Sequence, residues 1–545
     1  MIPERLRIGP WQRWIGTALP GIALVAVAMM LTILFGSLDV SGIHSIRELM
    51  TPDPAAAAGT LGLAGGAEGV TLSIVLMAVV LGIQMTSSRY SPRIIGLFTR
   101  NVWNALVLGL ALVSILYTFL VRAEVKSNFV PTWSVIAALV LAVVNFAILL
   151  PYVAYMFEVM RAETLVGSIR RAARRELARA VAGHRIWRRR ANLLTSISQT
   201  TDIALGSIAL GDLPVCVLTI DVLGQFLAAD YIRVKKSFQP DWFAVGHPEL
   251  PGASDQVIAE VNRGRTFLEY LVMSSFVDLA GVTPAHRKEA VHAIALATRD
   301  VGLAAIETGD PEVAELCVRF FNTYLRVALN RSAPTFASST MNEYRRLAIG
   351  ALEWRPDLAV DVASHLLRYG RHFDEAGMPA IFGAAAEDVA DLAIEAESHD
   401  PNVTRRLAQL LVQHLAELVP IARPIGLNGL FKAVVKLAFW AMAAEKAELT
   451  GILVAGVAAA PPDFVESALS RMETMQSGLF WEVNERVIAF DWVEEPLRAQ
   501  IPRLREALRL AKAPDARPRR RVPVEAHPDL VQPEAEAEAE VPAAG

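Results

Sequence analysis

The sequence predicts a mainly α-helical protein with a four-helix transmembrane N-terminal region, a small β element, a cytoplasmic α-helical domain and a disordered C-terminal tail. Three observations lead to this architecture. The composition is 53% apolar and the mean hydropathy is +0.37, which is high for a soluble chain of 545 residues. Four apolar runs of span length lie in the first 160 residues, and helical periodicity dominates afterwards. The length has room for two or three domains.

The transmembrane domain is predicted at 1–160, with helices at about 14–35, 68–88, 102–121 and 133–157. The first run holds about twenty-two residues without a charge, which is enough to cross a hydrocarbon core of ~30 Å as a helix. A cleaved signal peptide is the alternative for this run. Its apolar part is longer than that of a signal peptide and three more runs follow it, so we expect four spans.

The distribution of arginine predicts the orientation of these spans. The segment after the second run carries Arg89, Arg93 and Arg100 with no acid, and the segment 161–190 carries ten arginines and two glutamates. The loop before the second run is mainly acidic, and Glu68 is counted with it. Cytoplasmic loops are the arginine-rich ones, so both termini are expected in the cytoplasm. The bias towards arginine and alanine indicates a bacterial genome, and hence a multi-pass protein of the bacterial inner membrane.

Polar side chains are few within the predicted spans. Gln84 lies near the inner end of the second span, and Asn145 lies in the middle of the fourth. An amide in hydrocarbon needs partners on another helix, so both are interpreted as contacts that hold helices together; a polar pathway or a ligand contact is the functional alternative. No acid pair is expected within the spans, which argues against a proton pump.

A basic amphipathic juxtamembrane helix is predicted at 161–200, because apolar residues recur every three or four positions and arginines fill the opposite face. Anionic lipid of the inner leaflet is the expected partner. Nucleic acid is the rival, but the segment begins at the bilayer and offers only Trp187 for stacking, so none is expected. The lipid-contact candidates are Arg170, Arg171, Arg174, Arg175, Arg188, Arg189 and Arg190.

Further along, short β-prone runs separated by glycine or proline predict a small β element at 213–250. A cytoplasmic helical domain follows at 254–512. Its helix starts are indicated by prolines that follow a capping residue, for example at Thr283-Pro284, Asp310-Pro311 and Asp400-Pro401. The segment 513–545 is rich in proline, glutamate and alanine, so we expect a disordered tail.

Motifs for catalysis are not found in the sequence. The histidine spacings do not fit a helical zinc motif, and the sequence has no hydrolase elbow, phosphate-binding loop or dinucleotide fingerprint. We therefore predict no catalytic residue, no cofactor and no metal site.

The most specific pattern follows the second predicted span: Gln84, Ser87, Ser88, Arg89, Tyr90, Ser91, Pro92 and Arg93. Ser91 and Pro92 suit the start of a helix, and the arginines suit an anchor at the inner membrane face. The alternative is a cytoplasmic mouth that contacts an anion or gates a passage.

This pattern, with Phe98, Arg100 and Asn104, resembles the Q-x-x-S-S-x-Y-S-P-R motif of a predicted bacterial integral membrane protein family of unknown function. Segments at 243–248 and 276–280 are similar to later motifs of that family, so the resemblance covers roughly residues 60 to 300. The chain departs from the family pattern at 281–286. The resemblance implies an integral inner-membrane protein without an assigned activity.

The resulting hypothesis is a non-enzymatic inner-membrane protein whose cytoplasmic helical domain interacts with protein or lipid. A homo-oligomer and a protein partner fit this hypothesis. The alternative is an oligomeric channel or transporter, with a path lined by the second and fourth membrane helices.

Overall fold

The computed structural model describes residues 53–89, 102–127, 129–183, 185–284, 287–419, 424–475, 477 and 489–512. Within these residues the chain is mainly α-helical, and three long apolar helices pack against one another near its N-terminal end. They are α1 (Pro54–Arg89), α2 (Val102–Glu124) and α3 (Thr132–Met160). By length and composition each can cross a membrane. We call these three helices the bundle.

The bundle agrees in part with the predicted spans. The predicted first span, 14–35, lies outside the described residues, as does the predicted tail 513–545. The predicted third and fourth spans lie within α2 and α3. The second span was predicted to begin too late, because α1 starts at Pro54, where a run of alanines favours a helix. With 36 residues, α1 is roughly 54 Å long at 1.5 Å per residue, which exceeds a hydrocarbon core of ~30 Å.

A helical hairpin follows the bundle directly. Arg161 has an extended backbone that ends α3, and α4 (Ala162–Val181) begins at the next residue. After a turn, α5 (Ile186–Ala209) runs back along α4. The prediction of one juxtamembrane helix at 161–200 is therefore wrong, because the left-handed backbone of Gly183 and Arg185 reverses the chain.

The predicted small β element at 213–250 is also wrong, since the described part of this segment contains no strand. It begins with α6 (Leu213–Gln225), continues as a π-helical segment (Phe226–Tyr231) and α7 (Ile232–Lys235), and then contains a short 3-10 helix (Pro240–Trp242). The side chain of Asp212 caps α6 by accepting a hydrogen bond from the backbone N–H of Val215, and Pro214 occupies the first turn. These start signals and tertiary burial outweigh the β propensity of the valines, isoleucine and threonine.

The segment Leu213–Lys235 is long and apolar enough to be a further candidate span, but half of it is already buried within the protein. Cys216, Ile220 and Leu223 belong to the large core that also contains the helices downstream. A Cβ added at Gly224 would lie 2.6 Å from the Cβ of Ala297, so α6 packs closely against the helix that contains Ala297. Its apolar character is thus explained by protein contacts.

The rest of the described chain is a stack of helices, and most of them begin with proline in the first turn. Asp310 and Asp400 cap their helices as predicted. The predicted start at Thr283 is wrong, because Thr283 ends a helix. The helices are α8 (Asp255–Gly264), α9 (Phe267–Val282), α10 (Lys288–Thr308), α11 (Pro311–Asn330), α12 (Pro334–Ala351), α13 (Pro356–Glu375), α14 (Pro379–Ala396), α15 (Pro401–Leu418), α16 (Pro424–Ala443), α17 (Ala447–Ala458), α18 (Pro462–Thr474), α19 (Glu495–Arg498) and α20 (Ile501–Lys512).

One hydrophobic core joins these helices to the hairpin. It extends without interruption from Ala173 on α4 to Leu508 on α20. A smaller cluster joins the first half of α4, through Leu165, Val166 and Ile169, to the bundle. The helix α4 therefore contributes to two clusters at once.

One close helix crossing in this core involves two glycines. A Cβ added at Gly429 on α16 would lie 2.5 Å from the Cα of Gly383 on α14. Because this clash is with a backbone atom, no change of side-chain rotamer can relieve it. We expect Gly429→Ala to lower the free energy of unfolding by about 1–3 kcal/mol through overpacking. Gly451→Ala on α17 is the matched control, because a Cβ there meets nothing within 4 Å; it should be neutral or stabilising. Thermal unfolding of the detergent-solubilised protein measures both, and equal midpoints would contradict the close crossing.

Candidate functional site

The bundle interior is built from three layers spaced seven residues apart along each helix. One layer contains Leu61, Val121 and Ala138 from the three helices. Another contains Val75, Val107 and Tyr152. The positions midway between them on α1, α2 and α3 are Glu68, Ser114 and Asn145, and all three are buried. Two apolar contacts thus enclose a polar middle layer, about 10 Å from each of them at 1.5 Å per residue.

Glu68 is the central group of this polar layer. Its side chain is fully buried. The prediction that Glu68 belongs to the loop before the second span is therefore wrong. The hydroxyl of Ser114 donates a hydrogen bond to Oε1 of Glu68. Among the described residues Oε2 of Glu68 has no hydrogen-bond partner. A carboxyl group within a membrane bundle is costly to bury, and it is therefore a candidate functional group.

A row of polar side chains on α2 leads from Glu68 to one end of the bundle. We call the end of the bundle that contains the α2–α3 connection the loop end. The opposite end, where α3 continues into α4, is the hairpin end. Thr118 lies one turn from Ser114 and Arg122 one turn further, and they pack over Gly65 and Gly62 of α1. The buried hydroxyl of Thr118 has no hydrogen-bond partner within the described part. Because these two α1 positions are glycines, the α2 side chains can lie between the helices.

The α3 helix supplies the remaining polar groups. Asn145 is 3% exposed, and its Nδ2 has no hydrogen-bond partner in the described residues. Towards the hairpin end, the hydroxyl of Tyr152 donates to Oδ1 of Asn104 at 3.3 Å. The predicted intramembrane residue Asn145 thus faces the bundle interior, in the same layer as Glu68.

The predicted motif after the second span is only partly described. Gln84 lies on α1 with an exposed side chain. α1 continues through Ser87, Ser88 and Arg89 to its end. Tyr90, Ser91, Pro92 and Arg93 lie outside the described residues. The interpretation of this motif as an anchor or a cytoplasmic mouth stays a prediction.

The seven predicted lipid-contact arginines divide into two groups. Four of them bind acidic side chains of the hairpin or of the segments after it: Arg170 and Arg174 pair with Asp230, Arg189 pairs with Glu176, and Arg190 pairs with Glu249. The other three are Arg171, Arg175 and Arg188, which are exposed. Among the described residues no carboxylate forms an ion pair with these three. They remain available at the surface of the hairpin.

Arg190 is buried and therefore unsuited to lipid contact. Its side chain is 5% exposed, and Nη2 lies 2.9 Å from Oε1 of Glu249. Nη1 donates to the backbone carbonyls of Trp242 and Ala244 at 3.2 and 2.5 Å. The guanidinium also stacks on the ring of Trp187, 4.5 Å from its centroid. These contacts join α5 to the segment before α8.

A buried ion cluster lies deeper in the large core. Nζ of Lys235 lies 2.8 Å from Oε1 of Glu269 and 2.8 Å from Oδ2 of Asp310. Burial lowers the pKa of Lys235, but the two carboxylates outweigh it, so the net shift is upward. Burial raises the pKa of the Glu269 carboxyl. Asp310 also caps α11 through the backbone N–H of Val313, so the cluster ties α7, α9 and α11 together.

A cavity of about 390 Å³ opens between α8, α9 and α11. Its lining includes the aromatic rings of Tyr270 and Phe320 and the charged side chains of Asp278, Glu312 and Arg319. Burial raises the pKa of the Asp278 carboxyl. The cavity can hold a side chain or a small molecule with an apolar body. In the described residues no group of three or more histidine, cysteine or acidic side chains is arranged to hold a metal ion.

The apolar bundle, with buried polar groups inside, defines an integral membrane protein. Residues 13–203 match the model of a family described as "Predicted membrane protein (DUF2254)", a family of unknown function. The match covers the bundle and α4, and ends within α5. No curated protein and no solved structure matches the chain.

The sequence analysis missed Glu68, Ser114 and Thr118. The recurrence of Leu61, Glu68 and Val75 at seven-residue intervals was a usable signal, because this spacing places them on one helix face. The signal was missed because Glu68 was counted with the loop before the second predicted span. α1 in fact runs through that stretch.

Proposed function

We propose that this chain is a non-enzymatic protein of the bacterial inner membrane, with cytoplasmic termini, whose cytoplasmic helical domain interacts with lipid and protein. The observation that carries the proposal is the position of the α4–α5 hairpin. It begins one residue after α3 ends, and the first half of α4 packs against the hairpin end of the bundle. This position supports a location of the exposed hairpin arginines near the membrane surface.

Anionic lipid of the inner leaflet is the partner that this position favours. Arg171 and Arg175 lie one turn apart on α4, and Arg188 lies near the start of α5. Exposed basic residues next to a bilayer each contribute about 1 kcal/mol of attraction to anionic lipid. We do not propose nucleic acid as a ligand, because the hairpin adjoins the bilayer and its sequence offers only Trp187 for stacking.

The lipid interaction can be tested with a charge-neutralised variant. We expect R171Q/R175Q/R188Q to bind phosphatidylglycerol about 3 kcal/mol more weakly, roughly a hundredfold, with phosphatidylcholine binding unchanged. The measurement is lipid titration of the detergent-solubilised full chain.

The matched control is R371Q/R405Q/R406Q, which removes three partly exposed arginines from α13 and α15. It should retain the phosphatidylglycerol affinity of the unchanged protein. If the hairpin variant also retains that affinity, the hairpin is not a lipid-binding surface.

A channel or transporter is the second candidate, and the polar layer around Glu68 is the observation in its favour. The layer is enclosed by apolar contacts, Leu61 with Val121 and Val75 with Val107. Because the Val75–Val107 contact interrupts a polar path at the hairpin end of the bundle, transport would require an oligomer that supplies a further path. We therefore rank this candidate second.

A further inference from the structure

We propose that Glu68 is a proton-binding site within the membrane, whose carboxyl group exchanges its proton with the aqueous phase at the loop end of the bundle. The inference concerns the bundle interior, so it is independent of the lipid and protein contacts proposed for the cytoplasmic part.

The first step is the position of the carboxyl group. Ser114, its hydrogen-bond donor, lies eight residues from Arg122 along α2, which is about 12 Å at 1.5 Å per residue. Arg122 is exposed near the end of an apolar helix. Glu68 therefore lies well inside the hydrocarbon region that these helices would cross, where a charged side chain is strongly disfavoured.

The second step is the absence of a compensating charge in the described surroundings. Besides Glu68, the buried polar side chains in the middle of the described bundle are those of Thr71, Ser114, Thr118 and Asn145, all neutral. Arg122 is the nearest cation along α2, two turns away. The predicted first span, outside the described residues, contains no charged residue in its sequence. A bound proton neutralises the carboxylate without a second buried ion.

The third step is the route for the proton. Towards the loop end, Thr118 and Arg122 provide a polar group at each turn, packed over Gly65 and Gly62 beside the apolar Leu61–Val121 contact. Towards the hairpin end, the next layer is apolar and consists of Val75, Val107 and the ring of Tyr152. Oε2 of Glu68 and the hydroxyl of Thr118, which have no hydrogen-bond partner among the described residues, can accept and pass a proton. Exchange is therefore expected from one side only.

The site can be tested by labelling with dicyclohexylcarbodiimide, an apolar reagent that reacts with protonated carboxyl groups in membranes. The carboxyl O–H adds across one C=N bond of the carbodiimide, with the proton going to that nitrogen. The acyl group of the resulting O-acylisourea then migrates from oxygen to the other nitrogen, which gives a stable N-acylurea. We expect the full chain in vesicles to be labelled at Glu68, with at least about a tenfold rise in labelling rate from about pH 9 to about pH 5. Peptide mass spectrometry locates and quantifies the label.

Two variants make this result specific. Glu68→Gln should abolish the label, whereas Glu124→Gln, at the exposed end of α2, should leave it unchanged. Thermal unfolding of Glu68→Gln checks that the variant is folded. No label at Glu68 at any pH in the unchanged protein would overturn the proposal. Protection of Glu68 by sodium at constant pH would also overturn it, because the site would then bind a metal cation instead of a proton.

The side of exchange needs a separate measurement. Ser127 lies in the α2–α3 connection. Labelling of Ser127→Cys with a membrane-impermeant maleimide shows which compartment contains the loop end. When the pH is changed in one compartment only, labelling of Glu68 should follow the pH on the Ser127 side. Labelling that follows the opposite compartment would overturn the proposed route.

Discussion

Replacing Lys235 with methionine should lower the free energy of unfolding by about 3–5 kcal/mol. Lys235 is the one cation within 2.8 Å of both Glu269 and Asp310 among the described residues. Glu269 is fully buried, so the substitution leaves a carboxyl group without solvent and without a positive partner. Thermal unfolding of the solubilised protein should show a midpoint lowered by on the order of 10 °C.

The neighbouring lysine provides the control. Lys236 is exposed and donates a hydrogen bond to the backbone carbonyl of Thr308, so Lys236→Met should change stability by less than about 0.5 kcal/mol. Adding Glu269→Gln to Lys235→Met should restore part of the loss, because it removes the buried negative charge. If the two lysine variants unfold at the same temperature, the buried cluster contributes nothing to stability.

Replacing Arg190 with methionine should destabilise the protein by about 3 kcal/mol. The substitution leaves Glu249 without its cation and the carbonyls of Trp242 and Ala244 without their donor. Affinity for anionic lipid should be unchanged, because this guanidinium is directed into the protein. Unfolding midpoints and phosphatidylglycerol titration, measured on the same preparation, separate the two roles.

Arg188→Met is the matched control for Arg190→Met, because Arg188 lies two residues away on α5 and is exposed. It should unfold normally, within about 0.5 kcal/mol of the unchanged protein. The opposite outcome, with weaker lipid binding by Arg190→Met and unchanged stability, would restore the assignment of Arg190 to the membrane surface.

How far the sequence predicts this fold depends on the kind of signal. The third and fourth predicted spans lie within α2 and α3, because a long apolar run leaves few alternatives to a helix. Caps at Asp310 and Asp400 are local signals, and the structure contains both. In contrast, the β prediction at 213–250 failed because tertiary packing decides between helix and strand for short runs of β-branched residues.

The candidate site required information that a single sequence does not display. A membrane helix that starts near residue 68 leaves Glu68 with the preceding loop. The actual start at Pro54 places Glu68 inside the helix, where it is buried. Its partner Ser114 lies 46 residues away, and such pairs depend on how helices pack. For the arginines, composition indicated a basic face but not which guanidinium groups are neutralised by Asp230, Glu176 and Glu249.

The double membership of α4 has a consequence for how the chain can be divided. Leu165, Val166 and Ile169 pack with the bundle, while Ala173, Leu177 and Ala180 pack with the helices downstream. The two halves of one helix therefore belong to different cores. The bundle and the downstream helices must both be in place before α4 has all its neighbours, so the end of the bundle is not a boundary between two independent folding units.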